Sequence, residues 1–451
     1  MVGLDMSRRV LLNVLKYLGI VFLNMIYIFA FYAIIGLDKL SQYYSLLHAI
    51  ISGILIIQLN NILKRRGRLS LGFLLMYVLG IYFQLSMTKY SRVDVFYGFS
   101  TDNRIRFQGT IITFLILFAV NKLQLVNKDE KNVSYIDMKE KPAGYKLWAW
   151  IISLILFIYY FFVYDYSNSI YISANYKAQS KIVNIALNIA IVLGIYLAGL
   201  YLDIRRPITY FPFVIDAVSF VYYSLNTGSR ANFFACALLI LFILFENKIL
   251  KYEWFAVAQI SSPWFMIFFT YLAFRISGRY SSNFTKIAVT NVAYRFDLSD
   301  LAVNIMNNTS WFRFDLSEIW SGLQNCIPSF ISIQYKGFEA YYSMLSEAHL
   351  IPTVDYSDNF LSMGASAGGI IGMIIIIPTF YVIYEIIGVR LSKLGNKGIL
   401  IKMICILSLM RIEIEWTSFI PELRNMCLSI LIIFVAFKLI SIKYFWGGHK
   451  I

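Results

Sequence analysis

Four arginines lie near the ends of hydrophobic segments of this chain. Arginine never loses its charge, and its planar fork donates two hydrogen bonds at once to a phosphate group. Ionisable groups close to lipid are costly unless they are paired or face a cavity, so each is a candidate functional residue. Arg230, Arg275, Arg279 and Arg411 are therefore candidates for binding an anionic group such as a diphosphate.

Two of these arginines also have a structural interpretation. Arg411 could pair with Glu415 one helical turn later, which explains it as well as phosphate binding does. Arg230 follows a very short turn at 227–229 and could reach a lipid phosphate by snorkelling, although a turn gives little structural need for a guanidinium.

Asp216 is the one ionisable residue that the sequence predicts in the middle of a span.

Proton acceptors lie in the polar stretch that ends near residue 360. The candidates for a general base are Asp358, His349 and Glu347. His349 has a structural alternative, because it falls at the end of a helix predicted over 338–349, where the helix dipole favours its charged form. Aromatic residues mixed with polar ones suit sugar rings, and on this ground we predict glycan contacts at Tyr97, Arg104 and Tyr280.

Hydrophobic segments must position these residues, and they dominate the chain. The sequence is 59% hydrophobic and only 14% charged, which excludes an ordinary soluble domain. A span needs about 20 apolar residues to cross a core of roughly 30 Å. Segments of this kind predict an all-α polytopic membrane protein with about 12 transmembrane helices, at 10–36, 43–63, 69–88, 109–126, 147–164, 181–202, 207–226, 231–250, 253–275, 361–388, 399–416 and 424–444.

The basic residues predict how these spans are oriented. If the connections alternate between two sides, one side collects the cluster at 64–68 and most of the other lysines and arginines, and that side is cytoplasmic by the positive-inside bias. Both termini are then cytoplasmic. We divide the chain into spans one to nine (1–275), a large external loop (276–360), and the last three spans with the cytoplasmic C-terminus (361–451). The net charge of +15 is explained by this topology and by membrane lipid, and we predict no nucleic-acid partner.

The large loop contains two copies of a capping-box pattern. Asp297 is followed three residues later by Asp300, and Asp315 is followed in the same way by Glu318. Apolar residues then recur at helical intervals, so we predict two short amphipathic helices on or near the membrane surface, with Asp297 and Asp315 as their caps.

Two further patterns concern packing and metals. Gly364, Gly368 and Gly372 recur at every fourth position, which predicts a helix that packs closely against a neighbour. The four cysteines have no metal-binding spacing, and we predict neither a metal nor a cofactor.

Several of these features occur together. They are twelve spans, a large external loop before the last three, a turn at 227–229 from which Arg230 opens a helix, and a glycine-rich helix from Phe360 to Gly372. In this combination the chain resembles the O-antigen (Wzy-type) polymerase family of membrane glycosyltransferases. The resemblance implies a GT-C-like architecture and transfer of a growing glycan, carried on undecaprenyl diphosphate, to a fresh lipid-linked repeat unit at the periplasmic face of the bacterial inner membrane, without a metal.

The resemblance also implies partners and roles. The four boundary arginines would bind the diphosphate, and the base stays open among Asp358, His349 and Glu347. The expected partners are the undecaprenyl-diphosphate-linked oligosaccharide, membrane lipid and a chain-length regulator protein. An O-antigen ligase shares the architecture but uses another acceptor. A flippase for lipid-linked oligosaccharide is the other alternative, although it should have short external loops and cations along a central cavity.

Overall fold

The computed structural model describes the chain in several stretches, and every regular element in them is helical. The described residues are 14–27, 29–30, 39–90, 102–126, 144–166, 181–203, 205–227, 229–276, 299–316, 359–409, 424–432 and 435. These stretches contain no strand, which confirms the all-α class for the described part of the chain.

The helices are numbered here in chain order. They are α1 (Val14–Tyr27), α2 (Lys39–Arg66), α3 (Leu71–Leu85), α4 (Asn103–Val126), α5 (Tyr145–Ile158), α6 (Lys181–Tyr201), α7 (Phe211–Thr227), α8 (Arg230–Glu246), α9 (Glu253–Ile276), α10 (Asp300–Asn308), α11 (Phe360–Ser392), α12 (Asn396–Leu409) and α13 (424–432). A turn of 3₁₀ helix at Ser86–Tyr90 extends α3, and another at Pro207–Tyr210 precedes α7. A π turn at Tyr159–Val163 extends α5.

Six helices in the described residues are long and apolar enough to cross a membrane. They contain Lys39–Arg66, Asn103–Gln124, Tyr145–Val163, Pro207–Thr227, Glu253–Ala273 and Phe360–Ser392. Large apolar side chains cover the outside of the bundle, among them Phe162 and Phe268, as expected of a surface that faces lipid rather than water. The chain is therefore a membrane-embedded helical protein, and the twelve-span count stays a prediction.

The two ends of the bundle are named here by the residues found at them. α2 ends at Lys64, Arg65 and Arg66, and we call this the basic end. The opposite end, where α4 begins at Asn103, is the loop end. α2 and α4 run parallel between the two ends, because Asn103 donates a hydrogen bond of 3.0 Å to Ser41 near their starts and Asn121 donates one of 3.4 Å to Gln58 further along.

An ion pair ties α2 to α11 at the basic end. Arg66 and Glu385 lie 2.9 Å apart, with side chains only 10% and 16% exposed. The same guanidinium donates to the hydroxyl oxygens of Ser70, which caps α3, and of Tyr381. Arg66, at the end of α2, thus contacts residues of α11 and the cap of α3.

Further charges surround this pair. Lys402 of α12 is buried and donates a hydrogen bond of 2.8 Å to the hydroxyl oxygen of Ser392, the last residue of α11. Burial lowers the pKa of Arg68, in the turn between α2 and α3, and the neighbouring charge of Arg66 lowers that pKa further, whereas Glu385 and Glu246 raise it. Charged residues from four helices and a turn therefore interact with one another at the basic end.

α11 is a helical hairpin and not one continuous span. Gly369 has φ of +58°, outside helical geometry, and divides α11 into a first arm (360–368) and a second arm (370–392). The arms fold against each other, because the rings of Phe360 and Phe380 stack with centroids 4.2 Å apart although twenty residues separate them in sequence. The glycine stripe brings Gly364 against Gly372 of the same hairpin, where a Cβ on Gly364 would lie 2.7 Å from the carbonyl oxygen of Gly372.

Candidate functional site

A buried ion pair joins α4 to α10 near the loop end. Nε of Arg106 lies 3.3 Å from a carboxylate oxygen of Asp300, and the two side chains are 15% and 4% exposed. The helices approach closely here because Gly109, one turn along α4, has no side chain: a Cβ on it would lie 2.9 Å from the Oγ of Ser299. A charged pair this far from water needs a geometric or functional reason, since desolvation opposes it.

α10 confirms one predicted loop helix but corrects its position and its cap. The helix begins at Asp300, directly after Ser299, rather than directly after Asp297, which lies outside the described residues. Leu301, Val303 and Met306 are all buried, so α10 packs inside the bundle and does not lie on a membrane surface. α10 is amphipathic, as predicted, and its apolar side packs against α4 and α11.

The segment after α10 binds to the break in α11 through its backbone. The carbonyl oxygen of Trp311 accepts a hydrogen bond of 2.9 Å from Ile370 N–H, and the N–H of Asp315 donates one of 2.7 Å to the carbonyl oxygen of Ala367. Gly369 makes this contact possible for two reasons. Its positive φ breaks the helix, so the backbone groups of Ala367 and Ile370 can bond to segment 311–316, and a Cβ there would collide with the carbonyl of Trp311. The hairpin turn and segment 311–316 form one unit at the loop end.

Side chains alternate along 311–316 as they do along a strand. Phe312 and Phe314 are 72% and 84% exposed, and Leu316 projects in the same way. Arg313 is less exposed and donates to Asp315 at 2.9 Å. Asp315 therefore pairs with an arginine here, and the helix that it was predicted to cap would begin in residues outside the described part of the chain.

The predicted site residues fall into two groups. Arg230 is the first residue of α8, whose Ser229 cap accepts a hydrogen bond from Asn232 N–H. Arg275 is exposed in the last turn of α9, and Arg104 is exposed in the first turn of α4. The other predicted site residues, Asp358, His349, Glu347, Arg279, Arg411, Tyr280 and Tyr97, lie outside the described residues, and their roles stay predictions.

Asp216 lies away from this region, buried in the interior of α7. Its carboxylate faces Gly194 of α6, where a Cβ would lie 3.2 Å from Oδ2. The hydroxyl group of Ser153 of α5 also interacts with it. The described residues thus place Asp216 between helices rather than beside the loop-end arginines.

Arg106 is the functional candidate that sequence reasoning did not select. It lies two residues after Arg104, which the sequence analysis selected as a glycan contact. A sequence signal was present, because Asn103, Arg106, Thr110 and Thr113 recur at helical intervals and mark a polar face on α4. Such a face within a span indicates contact with other polar groups.

Chemically, the loop end combines two arginine–aspartate pairs with exposed aromatic rings. The arginines could bind an anionic group such as a diphosphate, and the rings could contact the apolar faces of sugars. Comparison of the chain with protein-family models, with curated proteins and with solved structures finds no match in any of the three.

Proposed function

We propose that this protein is a membrane glycosyltransferase that polymerises undecaprenyl-diphosphate-linked repeat units into a surface polysaccharide, such as O-antigen or capsule. The acceptor hydroxyl attacks the anomeric carbon of the growing glycan. The new glycosidic bond forms as the bond to the lipid diphosphate breaks, undecaprenyl diphosphate leaves, and a base takes the hydroxyl proton.

The observation that carries this proposal is the Arg106–Asp300 pair beneath the loop segment. Its guanidinium lies 3.3 Å from a buried carboxylate, where water is scarce and a charge interaction is stronger than in solution. An arginine preorganised in this way could stabilise the charge that develops on a departing diphosphate. Arg230 at the start of α8 and the exposed Arg275 are further candidates for the same role.

Segment 311–316 supports the second half of the proposal. It projects Phe312 and Phe314 from the loop end, where a glycan would have to lie. Aromatic rings bind sugars by stacking on their apolar faces, and such contacts do not depend on one sugar identity. We therefore assign this segment to the holding of the glycan beside the arginines.

Deletion of the gene tests the proposed function and separates it from the alternatives. In a polymerase mutant, surface glycan on a gel should be reduced to a single repeat unit on the lipid core. Full-length polymer that is made but not attached would instead identify a ligase. Loss of all external product would identify a flippase.

Substitution of Arg230 tests the assignment of the diphosphate-binding site. Arg230→Ala should abolish chain extension, because a diphosphate ligand would be lost, while the protein still accumulates in the membrane at its normal level. Lys251→Ala, in the turn before α9, is the control and should leave polymer length unchanged. Unchanged polymer length in Arg230→Ala itself would remove Arg230 from the site.

A further inference from the structure

Asp216 carries a carboxyl group near the centre of a membrane-spanning helix. It lies about midway along the apolar stretch Pro207–Thr227, which has 21 residues, and the residue is only 3% exposed. An ionised carboxylate at this depth is costly unless a cation pairs with it or it faces a cavity that contains water. The loop-end site does not include Asp216, so its presence needs a separate explanation.

Three other helices surround the carboxyl group. On α6, Gly194 faces it, and a Cβ on this glycine would lie 3.2 Å from Oδ2 and 3.4 Å from Cγ of Asp216. The same Cβ would lie 2.9 Å from Cδ1 of Leu156 on α5, so this leucine borders the same position. On α8, the buried Cys236 is close enough to interact with the charge of Asp216. The carboxyl group is therefore packed among helices and does not face lipid.

Ser153 of α5 places a hydroxyl group beside Asp216. Seven residues further along both helices, the rings of Tyr160 and Tyr223 pack with their centroids 4.8 Å apart. Both pairs are separated by 63 residues in sequence, so α5 and α7 run parallel in one register. The hydroxyl of Ser153 is buried and has no hydrogen-bond partner among the described residues, which leaves it able to turn toward the carboxyl group.

Charged groups in the described part of the chain do not pair with Asp216. Neither of its carboxylate oxygens has a hydrogen-bond partner there. The helices α5, α6, α8 and α9 pack against α7, and their charged residues lie at or next to helix ends: Lys146, Lys181, Arg230, Glu246, Glu253 and Arg275. Cys236 is the titratable side chain that faces the carboxyl group, and a thiol in apolar surroundings stays neutral. A negative charge on Asp216 would therefore have no described cation to offset it.

A proton fits these surroundings better than a metal ion does. Calcium and magnesium ions take about six or more oxygen ligands, whereas the described residues offer the carboxylate of Asp216 and the hydroxyl of Ser153. A proton needs only one carboxylate oxygen. The neutral acid can donate a hydrogen bond to a hydroxyl oxygen, and the ionised form can accept one from the same hydroxyl group. Ser153 can therefore be the partner of Asp216 in both protonation states.

We propose that Asp216 is a reversible proton-binding site inside the bundle, enclosed by α5, α6 and α8, with the hydroxyl of Ser153 as its hydrogen-bond partner. A proton from water forms an O–H bond with one carboxylate oxygen, and its return to water restores the carboxylate. The neutral acid is the resting form, because burial without a cation opposes the charged one. Ionisation would place a charge directly against the backbone of α6 at Gly194. This inference does not depend on which transfer reaction the protein catalyses.

Infrared spectroscopy of the full-length protein in liposomes tests the site. A protonated carboxyl group has a carbonyl stretching band that is separate from the bands of ionised carboxylates and of peptide bonds. Such a band should be present at neutral pH, should disappear reversibly as the pH rises, and should be missing in Asp216→Asn. Ser153→Ala should shift the frequency of the band, because a hydrogen bond is lost. Asp203→Asn, which changes an aspartate whose side chain is 46% exposed, is the control and should leave the band unchanged.

Carbodiimide labelling of the unaltered protein removes any dependence on the variants. Dicyclohexylcarbodiimide is an apolar reagent that reacts with protonated carboxyl groups inside membranes. Peptide mass spectrometry should find the adduct on Asp216 and not on Asp203, and its yield should fall as the pH rises.

A band or an adduct that is assigned to Asp216 and changes reversibly with pH supports the proposal. A band that stays at every pH would show a permanently neutral acid and overturn it. Absence of both signals would show a permanently ionised group and overturn it as well. Protection from the carbodiimide by sodium ions at constant pH, with potassium ions as the control, would identify a metal-ion site instead of a proton site.

Discussion

The two ends of the bundle use arginine–carboxylate pairs in different structural settings. At the basic end, Arg66 and Glu385 connect long helices, and the guanidinium also bonds to Ser70 and Tyr381. At the loop end, Arg106 pairs with Asp300 on a nine-residue helix, α10. Segment 311–316, which follows α10, is hydrogen-bonded to the hairpin turn of α11.

The difference indicates separate purposes. A charge that is bonded to several long helices fixes their packing, and exchange of its partners would disturb the bundle. A charge held by a short helix can change partners at a smaller structural cost, which suits a site that binds and releases an anionic substrate. We therefore expect the basic end to contribute mainly to stability and the loop end mainly to activity.

The largest expected effect is on stability at the basic end. Arg66→Ala removes the cation that pairs directly with Glu385 and leaves Arg68 and Lys402 near it, so the free energy of unfolding should fall by about 3 kcal/mol. Thermal unfolding in detergent measures this change. Chain extension per folded molecule should be unaffected, and Arg65→Ala, an exposed neighbour, is the matched control. Lost activity in a correctly folded Arg66→Ala protein would contradict the division between the two ends.

A smaller effect, on activity, is expected at the loop end. Arg106→Lys keeps a cation for Asp300 but loses the planar fork, and hydrogen bonds to charged groups are worth about 1.5–3 kcal/mol. Chain extension should fall by about 10- to 100-fold, measured with purified protein and lipid-linked repeat units in liposomes. Lys122→Arg, exposed at the other end of α4, is the control for a lysine–arginine exchange. If only stability changed in Arg106→Lys, the Arg106–Asp300 pair would be structural, like the Arg66–Glu385 pair at the basic end.

The hairpin turn allows a comparison between adjacent glycines. Gly369→Ala must adopt a positive φ, which alone costs about 1–2 kcal/mol, and its methyl group would also displace Trp311. Gly368→Ala meets no atom within 4 Å and has no positive φ, so it should be close to neutral. Thermal unfolding and polymer length should both change in the first variant. Equal behaviour of the two would show that segment 311–316 does not depend on the turn.

The smallest effect should come from the exposed rings. Phe314→Ala removes a side chain that is 84% exposed, so the unfolding temperature should not change. Loss of a sugar contact should raise KM for the lipid-linked substrate by an amount that corresponds to about 0.5–1 kcal/mol, as for other aromatic contacts. Phe162→Ala, on the exposed surface of the π turn after α5, is the control. An unchanged KM would remove Phe314 from glycan binding.

Sequence patterns predicted some features well because those features follow from local chemistry. Apolar segments and their basic ends predicted where long helices such as α2 and α9 lie, because length and hydropathy are properties of the segment itself. The same information missed the hairpin at Gly369. An apolar, glycine-rich run from 360 to 392 has the composition of a straight span, and the break depends on a contact with the carbonyl of Trp311, almost sixty residues earlier.

The candidate site was harder to predict for the same reason. The spacing of Asp297 and Asp300 favoured a cap, whereas the partner that decides the role of Asp300 is Arg106 on a distant helix. Arg106 and Arg104 are two residues apart, and only packing shows that the first is held by an aspartate and the second is exposed. Composition cannot distinguish them.

The contact between Gly364 and Gly372 has a mechanical consequence. At this contact the arms of α11 meet backbone to backbone, so no side chain there can change rotamer to alter their spacing. We expect the hairpin to move as one rigid body, with the stacked rings of Phe360 and Phe380 at the far end from its turn. A force applied to segment 311–316 would therefore be transmitted along the full length of the first arm. Distances measured between spin labels on the two arms should therefore stay constant.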